Sequence, residues 1–197
     1  MNKSIRVIDD FLPTDIAENM FLHMMTMPMY SPNDMCVDKG EADGSVFEYG
    51  RTLYPDKPMH QVLFQSIFYK KYFNNVTEYQ SDFWKLEQNV DAITKTLNIK
   101  TLWYARGNCT PGQIKNYQSK FHTDIPDDNN LALLTKTACI YLNSNNGGTL
   151  FDDEEKTFVQ SKFNRAVVFP TTMFHSAVAC TDAKLRFVLN LNYEEND

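Results

Sequence analysis

The sequence predicts a mainly β fold, a sandwich or barrel, behind an N-terminal part built largely of helices. Three observations carry this. Between residues 101 and 193, short runs rich in Val, Ile, Phe, Tyr and Leu recur, each closed by a Gly, Asn, Asp or Pro turn. The last of them, Leu185–Tyr193, is apolar at nearly every other position, the period of a strand with one buried face. Before residue 100, apolar residues recur at helical spacing instead.

Taken in order, Ile5-Arg6-Val7-Ile8 reads as a short strand and Asp9–Pro13 as a turn. Thr14 suits an N-cap, and a helix is expected from there to about Met27, with Ile16, Met20 and Met24 on one face and Pro28 as its stop. Its methionines read as core filler. Residues 29–60 are rich in Pro, Gly, Asp and Asn and read as turns with a short strand at Val46–Tyr49. A loop of that length often binds or covers something, and Tyr30, Tyr49, Arg51 and Tyr54 are the substrate-facing candidates in it. Residues 61–73 are expected to be helical although strongly aromatic. Residues 78–97 are expected to form a second helix, with Phe83, Leu86, Val90, Ile93 and Leu97 in step.

The β half begins at Thr101–Arg106, with a turn expected over Asn108–Gly112. Strands follow at Ala138–Leu142, Thr149–Phe151, Phe158–Gln160, Arg165–Phe169 and Leu185–Tyr193. Between the first two of these, Asn143–Gly148 reads as a glycine-dependent turn.

A chain of 197 residues, 43% hydrophobic and 22% charged, suits a single globular domain, 1–197, with helical support over 1–100 and the β core over 101–197. A net charge of −6 argues against broad contact with nucleic acid. No apolar run approaches the roughly 20 residues that cross a bilayer. The first residues lack the apolar stretch of an export signal. Cys36, Cys109, Cys139 and Cys180 form no Cys-x-x-Cys pair and read as reduced thiols. The expected location is the cytoplasm, with no membrane contact.

Of four histidines, His122 stands two residues before Asp124, and His175 lies far downstream. In an extended segment, side chains two apart share a face, so His122 and Asp124 can reach one metal ion together. With His175 they make two imidazoles and one carboxylate, the facial triad of non-haem Fe(II) oxygenases, which leaves coordination positions open. His23 and His60 have no such companion and read as structural.

Around these residues the chain resembles the Fe(II)- and 2-oxoglutarate-dependent dioxygenases, in their prolyl-4-hydroxylase-like branch. The matching stretches keep the family's order: His122-Thr123-Asp124; Tyr141-Leu142-Asn143 and then Gly147-Gly148-Thr149-Leu150-Phe151; Asn164–Pro170 leading to His175; and Arg186-Phe187-Val188-Leu189-Asn190. Val7–Leu12 is similar to the branch's opening strand and helix, and the compact size resembles small bacterial or bacteriophage members.

The resemblance implies a double-stranded β-helix, or jelly roll, with helices on one sheet. It implies that His122, Asp124 and His175 bind Fe(II), and that Arg186 pairs with the far carboxylate of 2-oxoglutarate, with Lys184 as its rival. Tyr104 or Tyr117 would hydrogen-bond the co-substrate, and Asn108 and Thr149 are further candidates. The implied activity is O2-dependent hydroxylation of a C–H bond in a peptidyl prolyl or small-molecule substrate, with release of succinate and CO2 (host cytoplasm for a phage protein). The acidic run Asp152–Glu155 reads as a solvated loop or a basic substrate's contact. Two other classes stay open: a non-redox metal protein holding Zn(II) on the same ligands, and an inactive jelly-roll binding protein. The sequence leaves the oligomeric state undetermined.

Overall fold

A computed structural model describes residues 4–26, 64–71, 78–80, 87–124 and 135–196. The elements in chain order are β1 (Arg6–Ile8), α1 (Thr14–Thr26), β2 (Phe64–Lys71), β3 (Glu78–Gln80), α2 (Glu87–Thr96), β4 (Ile99–Pro111), β5 (Thr135–Tyr141), β6 (Gly148–Phe151), β7 (Phe158–Gln160), β8 (Arg165–Pro170), β9 (His175–Val178) and β10 (Leu185–Glu195). Among the described residues they make two antiparallel sheets. The larger runs β1-β8-β5-β10-β4-β2-β3 and the smaller β7-β6-β9.

β10 is the central ribbon, paired to β4 on one side and β5 on the other. Its alternation sorts two faces. Phe187, Leu189, Leu191 and Tyr193 join the core that α1 covers with Ala17, Met20 and Met24, and α2 with Ile93. Val188 faces the other way, into a second cluster with Tyr141, Phe151, Val167 and Phe169 between the sheets. Arg186, Asn190 and Asn192 alternate in step with Val188 and are buried, at 4%, 5% and 6% exposure. The polar face of this strand is therefore turned inward. Burying Leu189 or Leu191 stabilises by about 1.5–3 kcal/mol each, enough to fix which face the helices cover.

Asn164 ties the N-terminal segment to the β7–β8 turn. Its carboxamide accepts from the Leu12 amide at 3.0 Å and donates to the Leu12 carbonyl at 2.7 Å. It sits at φ 60°, a left-handed conformation that asparagine tolerates.

Several expectations need correction. Phe64–Lys71 is a strand and not part of a helix, with Ile67 opposite Arg106 of β4. Its aromatic and β-branched residues suit a pleated surface, and the long partner strand decided between two ambiguous periods. The second helix is shorter than expected, Glu87–Thr96, because Glu78–Gln80 pairs with β2 instead. Asn108–Pro111 is not a turn. β4 runs through it, because Cys109 pairs with Phe64 on one side and Phe187 on the other. Thr14 is the first helical residue and not the cap, since the Pro13 carbonyl accepts from the Ala17 amide at 3.1 Å. The helix's expected end at Met27, the Val46–Tyr49 strand, Tyr30, Tyr49, Arg51, Tyr54, His60, Phe83 and Cys36 lie outside the described residues. Cys109, Cys139 and Cys180 are free and buried. No described helix is long and apolar enough to cross a membrane.

Candidate active site

The segment before Asp124 extends the smaller sheet along the free side of β9. Gln118 bridges Val178 and His122 bridges His175, both antiparallel. Four steps on one strand thus span three on the other. The extra residue is a bulge, and it sets the direction in which the His122 side chain leaves the backbone. His122 and His175 exchange both backbone hydrogen bonds at 3.0 Å, and their rings lie with centroids 4.5 Å apart.

Asp124 completes the group. One ligand atom each from His122, Asp124 and His175 lies within 4.8 Å of the others. The Asp124 side chain is 2% exposed, and its two oxygens are in different situations. Oδ2 accepts from the Thr137 hydroxyl at 2.6 Å and the Asn192 amide at 3.1 Å. Oδ1 is buried with no hydrogen-bond donor, 3.9 Å from His175 Nε2 and 3.7 Å from Arg106 Nη2. Burial alone would raise the Asp124 pKa. The charges of His175, Arg106 and His122 and the Thr137 hydroxyl outweigh it and hold the pKa down at about 2.

The ring nitrogens are oriented the same way. His122 Nδ1 meets the Lys120 carbonyl at 3.1 Å, and His175 Nδ1 meets the Met173 carbonyl at 3.0 Å. A carbonyl only accepts, so Nδ1 of each ring carries a proton, which leaves Nε2 as the atom that could bind a metal. Burial, then the neighbouring His175, push the His122 pKa down to about 4, which leaves the imidazole neutral at pH 7. Two Nε2 atoms and one donor-free carboxylate oxygen suit a divalent cation, and the carbonyl contacts are those that orient metal-binding histidines.

Arg186 lies on the same inner face, opposite Thr110 of β4. Its Nε donates to the Ser161 hydroxyl at 3.0 Å and Nη2 to the Gly148 carbonyl at 3.1 Å, with the guanidinium 5.5 Å over the Tyr141 ring. Among the described residues no carboxylate pairs with it. A buried cation without an anion is costly, so this position suits a ligand's carboxylate. Thr149 is beside it, its hydroxyl accepting from Tyr141 Oη at 2.8 Å.

The other expected residues divide. Lys184 is exposed, in the bend before β10, so it does not share the Arg186 face as the strand spacing suggested. Tyr104 is opposite Asn192 and carries the Arg106 guanidinium 5.6 Å from its ring centroid. Tyr117 holds Lys115 against its ring at 4.8 Å, and its carbonyl accepts from Ala179 beyond the end of β9. Asn108 is opposite Val188. The sequence reading missed Thr137, Asn192, Tyr141 and Arg106. The one signal available was parity: Asn190 and Asn192 are in step with Arg186, and polar residues in step with a buried arginine belong to its face.

Three solved structures share this architecture. A prolyl hydroxylase from Trichoplax adhaerens, in complex with a hypoxia inducible factor oxygen degradation domain peptide fragment, aligns with a TM-score of 0.59. The identity is 14%, over 98% of this chain and 84% of that one. The chain has the double-stranded β-helix fold of these oxygenases. The viral collagen prolyl hydroxylase of Paramecium Bursaria Chlorella virus-1, as a 2OG complex, aligns at 0.53 and 15% identity over 99% and 98% of the two chains. HygX from Streptomyces hygroscopicus, with nickel and 2-oxoglutarate bound, aligns at 0.57 and 10% over 98% and 83%. No protein-family model and no curated protein matches the sequence.

Proposed function

We propose that this protein is an Fe(II)- and 2-oxoglutarate-dependent dioxygenase that hydroxylates a C–H bond of a peptidyl prolyl or small-molecule substrate. The observation that carries the reading is Asp124 Oδ1: a buried oxygen with no hydrogen-bond donor, in a group where one ligand atom each of His122, Asp124 and His175 lies within 4.8 Å of the others. His122, Asp124 and His175 are its metal ligands. Arg186, with Tyr141 and Thr149 beside it, receives the far carboxylate of 2-oxoglutarate. Bound Fe(II) and 2-oxoglutarate supply oxygen activation coupled to decarboxylation, so that O2 ends as one oxygen in succinate and one in the hydroxylated product.

The chain's own residues do the rest. Thr137 and Asn192 hold Asp124 Oδ2 and so turn Oδ1 toward the metal position. The Lys120 and Met173 carbonyls hold both rings in orientation through Nδ1. Phe151 and Phe169 pack within ring-contact distance of His175 and exclude water from behind it. The fold shared with a prolyl hydroxylase solved with a peptide fragment supports a peptidyl substrate, and that shared with HygX, solved also with hygromycin B bound, a small molecule.

Anaerobic titration of the apo-protein with Fe(II) and then 2-oxoglutarate tests this. A visible charge-transfer band should appear, vanish in His122→Ala and weaken in Arg186→Ala. Bound iron without the band would end the co-substrate assignment in favour of a non-redox metal protein. No bound metal would end the enzyme reading altogether.

A further inference from the structure

Exposed apolar side chains gather on the outside of the smaller sheet. Phe151 and Val159 point into the cluster between the sheets, and Thr149 meets Tyr141 there. By alternation Leu150 and Phe158, directly opposite one another on β6 and β7, point outward. Leu150 is opposite Ser176 of β9, and Phe121, one residue before the His122 bridge, continues the row. Phe158 is 45% exposed and Phe174, beside the row, 51%. Lys156 reaches over this face, pairing with Asp152 and standing 5.5 Å from the Phe121 ring centroid. α1 and α2 cover the larger sheet instead. Aromatic and aliphatic residues in a row on the outside of a sheet mark a surface that another protein covers.

The two ends of this face differ in charge. The β6–β7 hairpin carries Asp152, Asp153, Glu154 and Glu155 against Lys156. At the other end, residues 113–117 run beside Ala179 and Cys180 and place Lys115 and the fully exposed Ile114 near Lys184 and Leu185. Asp182 at that end is engaged by the Asn146 amide at 2.9 Å.

Size and charge together select the partner. Four strands about 4.8 Å apart and four residues of about 3.4 Å give a sheet face of roughly 260 Å². A stable interface takes about 800 Å² from each partner. The partner must therefore cover both ends as well, and be basic over the hairpin and acidic over Lys115 and Lys184. A second copy turned end for end meets both conditions at once. A copy facing the same way would set hairpin on hairpin. Symmetric pairing through the β7 edge would set Lys156 opposite Lys162, three residues to either side of Val159.

We propose that this chain forms a two-fold dimer through the outer face of the smaller sheet, with the Asp152–Glu155 hairpin of each copy against Lys115 and Lys184 of the other. The axis runs along the Phe158–Leu150 row, so each of these residues meets its own counterpart. The sheets pack face to face, and each copy covers the back of the sheet that carries the other's His175.

Sedimentation velocity on the full chain, over a concentration series, tests this. The wild type should pass from monomer to dimer in the micromolar range, and high salt should weaken the dimer. Phe158→Glu should weaken it at least about tenfold, and so should Ile114→Asp at its fully exposed position. Two charge variants test the orientation, once each is shown to melt like the wild type. Lys115→Glu with Lys184→Glu makes both ends acidic, and Glu154→Lys with Glu155→Lys makes the hairpin basic. Each should be monomeric alone, and an equal mixture of the two should form a dimer. A wild type that stays monomeric up to millimolar concentration would overturn the proposal. So would a dimer that neither Phe158→Glu nor Ile114→Asp weakens. A charge variant that dimerises alone, or a mixture that stays monomeric, would overturn it as well.

Discussion

His122 and His175 face each other across one antiparallel bridge, each amide donating to the other's carbonyl at 3.0 Å. Residues far apart in sequence are thereby locked to one register, and neither backbone can shift along the other without breaking two hydrogen bonds. Asp124 stands two residues beyond, with its amide donating to the Thr171 carbonyl at 3.2 Å. The geometry is built into the sheet before any ligand arrives.

The hydroxyl of Thr137 is therefore expected to matter to the metal without touching it. Thr137→Val keeps the side chain's shape and removes the 2.6 Å hydrogen bond to Asp124 Oδ2. Metal affinity should fall about 10–100-fold, as for other groups that orient a metal ligand. Asn192→Ala should act in the same direction. Equilibrium dialysis with Mn(II) measures both, and an unchanged affinity would mean the carboxylate is oriented by its backbone alone.

Arg186 should cost the empty protein stability. Arg186 is 4% exposed, and its guanidinium donates to a hydroxyl and a carbonyl but pairs with no carboxylate among the described residues. Arg186→Met, similar in length and apolar, should raise the stability of the ligand-free protein by about 1 kcal/mol or more. The same change should lower 2-oxoglutarate affinity at least a hundredfold. Thermal melts with and without 2-oxoglutarate give both answers, and a destabilised ligand-free variant would contradict the argument.

Gly148 is required for close approach rather than for an unusual dihedral. A Cβ there would lie 2.3 Å from the Val159 carbonyl, which belongs to the paired strand and cannot step aside. Gly148→Ala should destabilise by about 1–3 kcal/mol, the range for an overpacked site. It should also weaken 2-oxoglutarate binding, because the Gly148 carbonyl is one of the acceptors that hold Arg186. Urea unfolding and calorimetry would show the two losses together.

His122 predicts an acid-sensitive ligand-free form. Burial, then His175, push its folded pKa down to about 4, against roughly 6.5 in the unfolded chain. The unfolded state therefore binds the extra proton between those values. Nothing is lost above about pH 6.5. Below it, this group removes up to about 1.4 kcal/mol per pH unit until about pH 4, where the loss levels off. His122→Asn lacks the term, so wild type should lose stability relative to the variant between pH 6.5 and 4.5. A constant difference in urea unfolding across that range would mean that the imidazole is not held neutral.

The strand-rich second half, α1 and the pairing of His122 with Asp124 on one extended segment were legible in the chain, because each rests on local pattern: a strand period, a helix period, a His-x-Asp pair; the places of His175 and Arg186 were implied by the resemblance and not by any local pattern. The strand nature of Phe64–Lys71 was not legible, since an aromatic run satisfies two periods and only pairing to β4 chose one.

By itself the sequence determined which residue types alternate along Leu185–Glu195, and so that the strand has two unlike faces. It could not say that the polar face is buried. A lone strand with alternating polarity is expected to show its polar side to water. Here the smaller sheet covers that side, and Arg186, Asn190 and Asn192 become the lining of the site. Tertiary structure also decided which oxygen of Asp124 is held and which is left bare, and that Arg106 stands by the bare one. Such contacts join β4, β5 and β10 through space, and no period along the chain encodes them.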